Sequence, residues 1–348
     1  MTTQESLFTL LAVRDLFVRY CRMIDRGQPH LVGQVFHPDA VINRASGALP
    51  AGAALAEIFQ RFDAIPGHNM SHNITNLTLR QSGDQVRAEA YFTAWMPVRR
   101  ADAAVLRTKV AGRYLNKAER RDGVWKFTSQ QIVVDFAETE DGSPWAGAAQ
   151  YPAGGRREAD PGAAFFADLA DQPNATGETK MTLDEALDQM AIREVLVRYC
   201  RGIDRGDKAL VRSAYHPDAT DDHGTFNGRA HDFPDVVVPR MDAVGRIGQH
   251  NVTNVQIEVE GDRAKGESYF VTYNPEAQAD GSLPRIMLVL GRYLDVFEKR
   301  GGDWKILDRR VVIDYAEPLP DGTPWPRLAD FTLGGRREAD PAHGFLKN

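Results

Sequence analysis

The chain has 348 residues, 43% of them hydrophobic and 26% charged, with a formal net charge of −6. At roughly 150 residues per domain this length predicts two domains of ordinary globular composition. The acidic balance argues against nucleic-acid binding, which usually needs a basic surplus. No apolar run approaches about 18 residues, so no membrane-spanning helix is expected, and the first residues do not resemble a signal peptide. We therefore expect a cytoplasmic enzyme or binding protein.

The sequence contains a long internal repeat. Residues 11–27 and 190–206 are identical at 11 of 17 positions. The match continues in the same order along each half, at Phe36–Ala40 with Tyr215–Ala219, His72–Asn76 with His250–Asn254, and Gly112–Leu115 with Gly291–Leu294. Two long collinear copies indicate two domains of one fold. We place these domains at residues 1–170 and 181–348, joined by the polar, turn-rich linker 171–180.

Each half begins with a predicted amphipathic helix, because apolar side chains recur at i, i+3 and i+4 spacing as far as Ile24 and Ile203. Gly27 and Gly206 follow at the position where glycine commonly ends a helix. A second, shorter helical stretch comes next. The rest of each half alternates as strands, with Asp-Gly or Gly-Gly turns between them. Helices followed by antiparallel strands predict an α+β fold. No glycine-rich phosphate loop follows a strand, so no nucleotide cofactor is expected.

An aspartate falls in the last turn of each first helix, at Asp25 and Asp204. A carboxylate is disfavoured there, because the helix end already carries partial negative charge. Two interpretations stay open at this point. Each side chain either points into solvent beside Arg26 or Arg205, or acts as a general base.

A histidine opens the H-N-[IV]-T-N segment of each half, at His72 and His250. A lone histidine is usually structural. A histidine and an aspartate that both recur at nearly the same separation favour an Asp–His pair, in which aspartate fixes the imidazole tautomer and histidine takes a proton. Tyr20 and Tyr199, five residues before the aspartates, are either core aromatics or hydroxyl donors to a substrate oxygen.

Two other repeated pairs are predicted to be structural. His37 and His216 belong to an H-P-D-A segment that is typical of a turn. Cys21 and Cys200 lie on the apolar helix face and are expected to be buried. Two cysteines are too few for a disulfide framework or a cysteine-based zinc site.

These residues resemble the SnoaL-like branch of the NTF2-like superfamily, which includes scytalone dehydratase, the hexachlorocyclohexane dehydrochlorinases and the bile-acid dehydratases. The resemblance rests on the helix ending in Tyr-x4-Asp-x-Gly, the F/Y-H-P-D-A segment, the H-N-x-T-N strand and the late D-G-x-W-K strand. It implies two cone-shaped α+β barrels in tandem, each a curved, mostly antiparallel sheet around helices and an apolar pocket. It also implies an internal pseudo-dimer of the two domains, with a homo-oligomer of the whole chain left open.

The resemblance implies roles for individual residues. In the eliminating members an Asp–His dyad with a polar helper removes a proton, and the matching positions here are Asp25, His72, Tyr20, Asp204, His250 and Tyr199. A basic pocket residue of some members corresponds to Arg309 in the second half, whereas the first half has Gln130. The second half is therefore expected to be the main site. Asp221, His223 and Tyr273, which the first half does not reproduce, are expected to line its substrate pocket.

Three functions remain open from the sequence. The first is a cofactor-independent lyase of the dehydratase type on a small, largely apolar or aromatic hydroxylated substrate. Retro-aldol loss of formaldehyde or an isomerisation would use the same residues. The second is a binding or assembly module without catalysis, for which the aspartate and histidine would lie well beyond hydrogen-bond reach. The third, a metal-dependent enzyme, is disfavoured because neither HxH nor HExxH spacing occurs.

Overall fold

A computed structural model describes residues 3–44, 47–65, 69–99, 105–140, 158, 181–244, 248–278, 284–319 and 337–339. The chain divides into two compact units, the first built mainly on residues 1–143 and the second mainly on residues 188–348. Both units combine a few helices with one large sheet, which confirms the predicted α+β class. The linker 171–180 lies outside the described residues, so the boundaries at 170 and 181 stay predictions.

The first unit runs through α1 (Thr3–Asp25), α2 (Val32–Val35), β1 (Phe36–Arg44), β2 (Gly47–Pro50), α3 (Ala51–Asp63), β3 (Ser71–Ser82), β4 (Gln85–Arg99), β5 (Val105–Arg121) and β6 (Val124–Glu140). The second unit repeats this order as α4 (Leu183–Arg205), α5 (Lys208–Ser213), β7 (Tyr215–Asp222), β8 (Asn227–Arg229), α6 (Phe233–Val244), β9 (Gln249–Glu260), β10 (Arg263–Glu276), β11 (Arg285–Arg300) and β12 (Asp303–Pro318). The predicted repeat is thus a repeat of structural elements.

Each unit has one six-stranded sheet, with strand order β2-β1-β6-β5-β4-β3 in the first unit and β8-β7-β12-β11-β10-β9 in the second. Among the pairings described, β1 with β6 and β12 with β7 are parallel and the others are antiparallel. The mostly antiparallel sheet is therefore confirmed. The expectation of a barrel needs one correction, because each sheet begins and ends on different strands and is not closed.

The first helix of each unit ends where the sequence predicts. Gly27 and Gly206 adopt left-handed conformations, with φ of 62° and 68°, which glycine enters without steric cost. The amide after each glycine donates to the carbonyl five residues before it, at 2.9 Å in both units. This closure caps the helix and fixes Asp25 and Asp204 in its last turn.

The H-P-D-A segments do not form the predicted turn. They lie at the start of β1 and β7, where the register against the neighbouring parallel strand shifts as in a β-bulge. The bulge accommodates a proline, which has no N–H for the sheet. The histidine rings instead hydrogen-bond to strand carbonyls, His37 to Glu119 at 3.0 Å and His216 to Glu298 at 2.8 Å.

The core of the first unit is formed by buried side chains of its helices and of its sheet. In the first unit, aromatic rings of α1 pack against rings of the sheet, as Phe17 does with Phe127 at 5.0 Å between centroids. Cys21 and Cys200 are both buried, as predicted. Among the described residues, no helix is long and apolar enough to cross a membrane.

Candidate functional site

The first unit brings its predicted Asp–His pair into direct contact. The carboxylate of Asp25, which is fully buried, lies 2.5 Å from the ring Nδ1 of His72. Its second oxygen accepts the backbone N–H of the same histidine at 2.9 Å. Because an ionised carboxylate only accepts hydrogen bonds, the Nδ1 atom carries the ring proton. The Nε2 atom is then the nitrogen that can accept a proton.

The second unit repeats this arrangement. The Asp204 carboxylate contacts His250 Nδ1 at 2.6 Å and accepts its backbone N–H at 3.0 Å. The partners are 46 residues apart and come from the end of α4 and the start of β9. Neither unit shows the wide separation that a module without catalysis predicts. The proton-abstracting role of the two pairs stays a prediction.

A buried arginine occupies the centre of an aromatic cluster in the second unit. The guanidinium carbon of Arg309 lies 4.2 Å from the ring centroid of Tyr199 and 4.0 Å from that of Tyr293. Both distances are within cation–π range. Arg309 also donates to both oxygens of Asp295 at 2.7 Å. Its Nη1 atom is buried without a hydrogen-bond partner within the described part of the chain.

Burial sets the protonation of this cluster. It raises the pKa of Tyr199 well above the usual value, against the opposing charge of Arg309. It also raises the pKa of Tyr293. Burial would lower the pKa of Arg309, but Asp295 outweighs it and the pKa stays well above the ordinary range. The phenols are therefore protonated and the guanidinium is charged at neutral pH.

A second Asp–His pair adjoins the arginine cluster. The carboxylate of Asp221 hydrogen-bonds to Nδ1 of His223 and accepts the Tyr215 hydroxyl at 2.6 Å. The other ring nitrogen of His223 lies 3.0 Å from the Tyr199 hydroxyl. Phe233 of α6 stacks on the imidazole at 4.2 Å between centroids. These contacts bring the predicted pocket residues Asp221 and His223 together with Tyr199.

The first unit has neutral side chains at the corresponding places. Gln130 pairs with Asn116 across β5 and β6, as Arg309 pairs with an aspartate across β11 and β12. Both amides are buried, and their side-chain nitrogen and oxygen atoms have no hydrogen-bond partner among the described residues. Ile42 occupies the position of Asp221. On the neighbouring strand, Ile42 lies opposite Gln130 and Asp221 lies opposite Arg309.

The two remaining predicted residues differ in burial. Tyr20 is buried, with its ring against Phe36 at 6.0 Å and Tyr114 at 5.4 Å between centroids. Tyr273 on β10 is 36% exposed. No hydrogen bond or ring contact joins it to the arginine cluster within the described residues, so its place in a substrate pocket stays a prediction.

Sequence reasoning missed Tyr215 and Asp295, which hold the second pair and the arginine. Each residue type is ordinary by itself at its position. The signal that could have found them is the comparison of the two copies, where Phe36 and Asn116 take their places. In the described part of the chain, no group of three or more His, Cys, Asp or Glu side chains is arranged to hold a metal ion.

Comparison with known families gives two matches along the chain. The SnoaL-like domain matches residues 5–131 and again residues 184–310. The protein belongs to the SnoaL-like family. Each matched range contains the helix end and the strand start that form one Asp–His pair, so the tandem SnoaL-like domains coincide with the two candidate sites.

Several solved structures resemble part of the chain. Hexachlorocyclohexane dehydrochlorinase LinA-type3 from Novosphingobium barchaimii LL02 is 23% identical, with a TM-score of 0.36, over 41% of this chain and 98% of that chain. Kfla4162 from Kribbella flavida is 22% identical, with a TM-score of 0.33, over 37% and 91%. A variant of Rv3472 from Mycobacterium tuberculosis, a protein of unknown function, is 27% identical, with a TM-score of 0.32, over 37% and 77%. No curated protein matches the chain.

Proposed function

We propose that this SnoaL-like protein is a cofactor-independent lyase whose Asp204–His250 pair removes a proton from a carbon atom of the substrate. The observation that carries the proposal is that two hydrogen bonds hold His250 to the same carboxylate. One carboxylate accepts both its ring Nδ1–H and its backbone N–H. This hold fixes the tautomer and the orientation, and it directs the basic Nε2 away from the aspartate.

The proposed reaction is an elimination. His250 Nε2 takes a proton from a carbon next to an electron-withdrawing group, and the electron pair of that bond forms a carbon–carbon double bond. The bond to the neighbouring hydroxyl oxygen breaks, and this oxygen leaves as water after receiving a proton. Proton transfer by a positioned side chain contributes about 10²–10⁴-fold to such a rate.

The surroundings of Tyr199 and Arg309 favour the second unit as the main site. The charged guanidinium of Arg309, whose Nη1 atom has no hydrogen-bond partner by geometry among the described residues, can stabilise negative charge that develops on a substrate oxygen. Gln130 in the first unit offers only neutral hydrogen bonds, which are weaker for a charged oxygen. The aromatic rings around the arginine favour a small, largely apolar or aromatic hydroxylated substrate.

Mass spectrometry of reaction mixtures tests the proposal. The full chain is incubated without added cofactor or metal with hydroxylated aromatic dimers, β-hydroxy ketones and steroid or terpenoid alcohols. We expect a product lighter by water, lost in Asp204→Asn and His250→Ala. Circular dichroism of each variant serves as the folding control. Full turnover by both folded variants would contradict the proposal.

The product mass separates the alternatives that use the same base. A product lighter by formaldehyde identifies a retro-aldol carbon–carbon lyase, and an unchanged mass at a new retention time identifies an isomerase. Binding of a panel compound without conversion, measured by calorimetry, would favour a binding module.

A further inference from the structure

Proton abstraction needs only one Asp–His pair, yet the second unit contains two. Asp204 and His250 supply the base of the proposed reaction. The other pair, Asp221 and His223, faces the Tyr199 hydroxyl through the second ring nitrogen of the histidine, at 3.0 Å. This pair therefore has a tyrosine, and not a carbon acid, as its next proton-carrying group.

The hydrogen bonds define the direction of this chain of contacts. Both oxygens of the buried Asp221 accept, one from the Tyr215 hydroxyl and the other from His223 Nδ1. The histidine proton on Nδ1 is thereby fixed. The remaining nitrogen, Nε2, accepts the hydroxyl proton of Tyr199 when the ring is neutral and donates to the hydroxyl oxygen when the ring is protonated. The two states differ by one proton on Nε2.

The environment of Tyr199 suits a proton donor. Burial raises its pKa, so the phenol holds its proton at rest. The guanidinium of Arg309, 4.2 Å from the ring centroid, stabilises the negative charge that forms when the proton leaves. Asp295 neutralises this guanidinium through two hydrogen bonds, and Phe233 stacked on the imidazole holds its orientation.

We infer that Asp221 and His223 form a proton relay that resupplies Tyr199 as it protonates the oxygen leaving the substrate. The inference rests on the proposed lyase function, and the relay starts from the state in which both ring nitrogens of His223 carry a proton. His250 Nε2 gains the proton from carbon, Tyr199 gives its hydroxyl proton to the leaving oxygen, and the His223 imidazolium gives its Nε2 proton to the Tyr199 oxygen and becomes neutral. Water forms from the hydroxyl, and exchange with solvent then removes one proton from His250 and returns one to His223.

The first unit provides an internal contrast. It keeps the tyrosine of the helix, Tyr20, but has Phe36 and Ile42 where the second unit has Tyr215 and Asp221. Neither phenylalanine nor isoleucine can accept or pass a proton. The relay is therefore a specific property of the second unit and not of the repeated fold.

Nitrogen NMR of the full chain with ¹⁵N-labelled histidine tests the relay without turnover. His223→Gln assigns the two ring signals of His223. We expect the Nδ1 signal to show a bound proton, the Nε2 signal to move in Tyr199→Phe, and the Nδ1 proton to be lost from its place in Asp221→Asn. The signals of His216, which bonds to a strand carbonyl outside the cluster, are the control. His223 signals that stay unchanged in both variants would overturn the relay.

Turnover with two leaving groups tests its use in catalysis. For an alcohol that the panel identifies, we expect His223→Gln and Asp221→Asn to lower kcat by about 10²-fold, the lower end for a positioned proton donor, with KM little changed. For the matching halide, which leaves without a proton, the loss should be at most about tenfold. His216→Gln is the control for loss of a histidine. Equal losses for both leaving groups would indicate a structural role and refute the relay in catalysis.

These two experiments separate failure of the relay from failure of the proposed function. If the wild-type chain converts no compound of the panel, the proposed lyase function fails, while the NMR measurement still decides whether His223 is coupled to Tyr199. If the chain converts an alcohol and both variants keep full activity, the lyase function stands and the relay fails.

Discussion

The two units place a charged pair and a neutral pair at the same position of the same sheet. Arg309 lies opposite Asp295 across β11 and β12, and Gln130 lies opposite Asn116 across β5 and β6. All four side chains are buried. Replacing the arginine alone would leave an isolated buried carboxylate, which is costly. The comparison shows that the two positions change together: the second unit has a cation and its counter-ion, and the first unit has a neutral amide at each position.

The Asp–His pair, in contrast, is the same in both units to within 0.1 Å in each contact, at 2.5 and 2.6 Å for the ring and at 2.9 and 3.0 Å for the backbone. The fold therefore repeats the candidate base and varies what surrounds it. Under the proposed function, the second unit carries out the reaction, and the residues around the Asp–His pair, not the pair itself, distinguish it from the first unit.

The largest expected effect is the difference in activity between variants that lack His250 and variants that lack His72. On a substrate that the chain converts, His250→Ala should lower kcat/KM by about 10²–10⁴-fold, because it removes the base of the unit that holds the charged arginine. His72→Ala, the matched change in the first unit, should lower it by at most about twofold. Steady-state kinetics of both variants, with thermal unfolding as the folding control, makes this comparison. Equal losses would mean that both units work, and the reverse order would make the first unit the main site.

The next effect concerns stability. Asp295→Ala leaves the guanidinium of Arg309 buried with its principal counter-ion removed, so we expect a loss of about 3–5 kcal/mol in the free energy of unfolding. Asn116→Ala, the matched change, removes an amide that has no side-chain hydrogen bond among the described residues and should cost much less. Urea unfolding measures both. A small loss in Asp295→Ala would show that the arginine finds another partner or solvent.

The sequence was sufficient to predict the repeat, the helix ends and the two Asp–His contacts. Each of these depends on strong local signals, namely a periodic helix, a glycine after it and two recurring polar residues. The bulge at His37 and His216 was wrongly expected to be a turn, because a proline and an aspartate also suit turns and only the partner strand reveals the register shift. The second pair at Asp221 could be singled out as polar but not assigned its partners, since the contacts join β7, α4 and α6.

A transplant of the charged pair into the first unit should show the coupling directly. Gln130→Arg by itself buries a charge without a counter-ion, whereas Gln130→Arg with Asn116→Asp recreates the pair of the second unit. A double-mutant cycle on the free energy of unfolding should give a favourable coupling of about 0.5–3 kcal/mol. The control is Gln130→Leu with Asn116→Asp, which introduces the carboxylate without the cation. A coupling of zero would show that the first unit cannot form the geometry that the second unit has.

The smallest expected difference between the units concerns the reactivity of their buried cysteines. Burial raises the pKa of Cys200 to about 12 and that of Cys21 well above its usual value, so neither thiol ionises in the folded chain near neutral pH. An unfolded thiol ionises at about pH 8.5, so each thiol contributes stability below that pH and loses it as the pH rises toward the raised pKa of the folded state. Labelling with a thiol reagent at pH 7–9 should therefore be slow for both residues and fast for both in denaturant. Mass spectrometry of the labelled peptides reads the two sites separately. Fast labelling of Cys200 but not of Cys21 in the folded chain would show that α4 opens next to the proposed base while α1 stays closed. The two Asp–His pairs would then be alike in geometry but would lie on helices of different local stability.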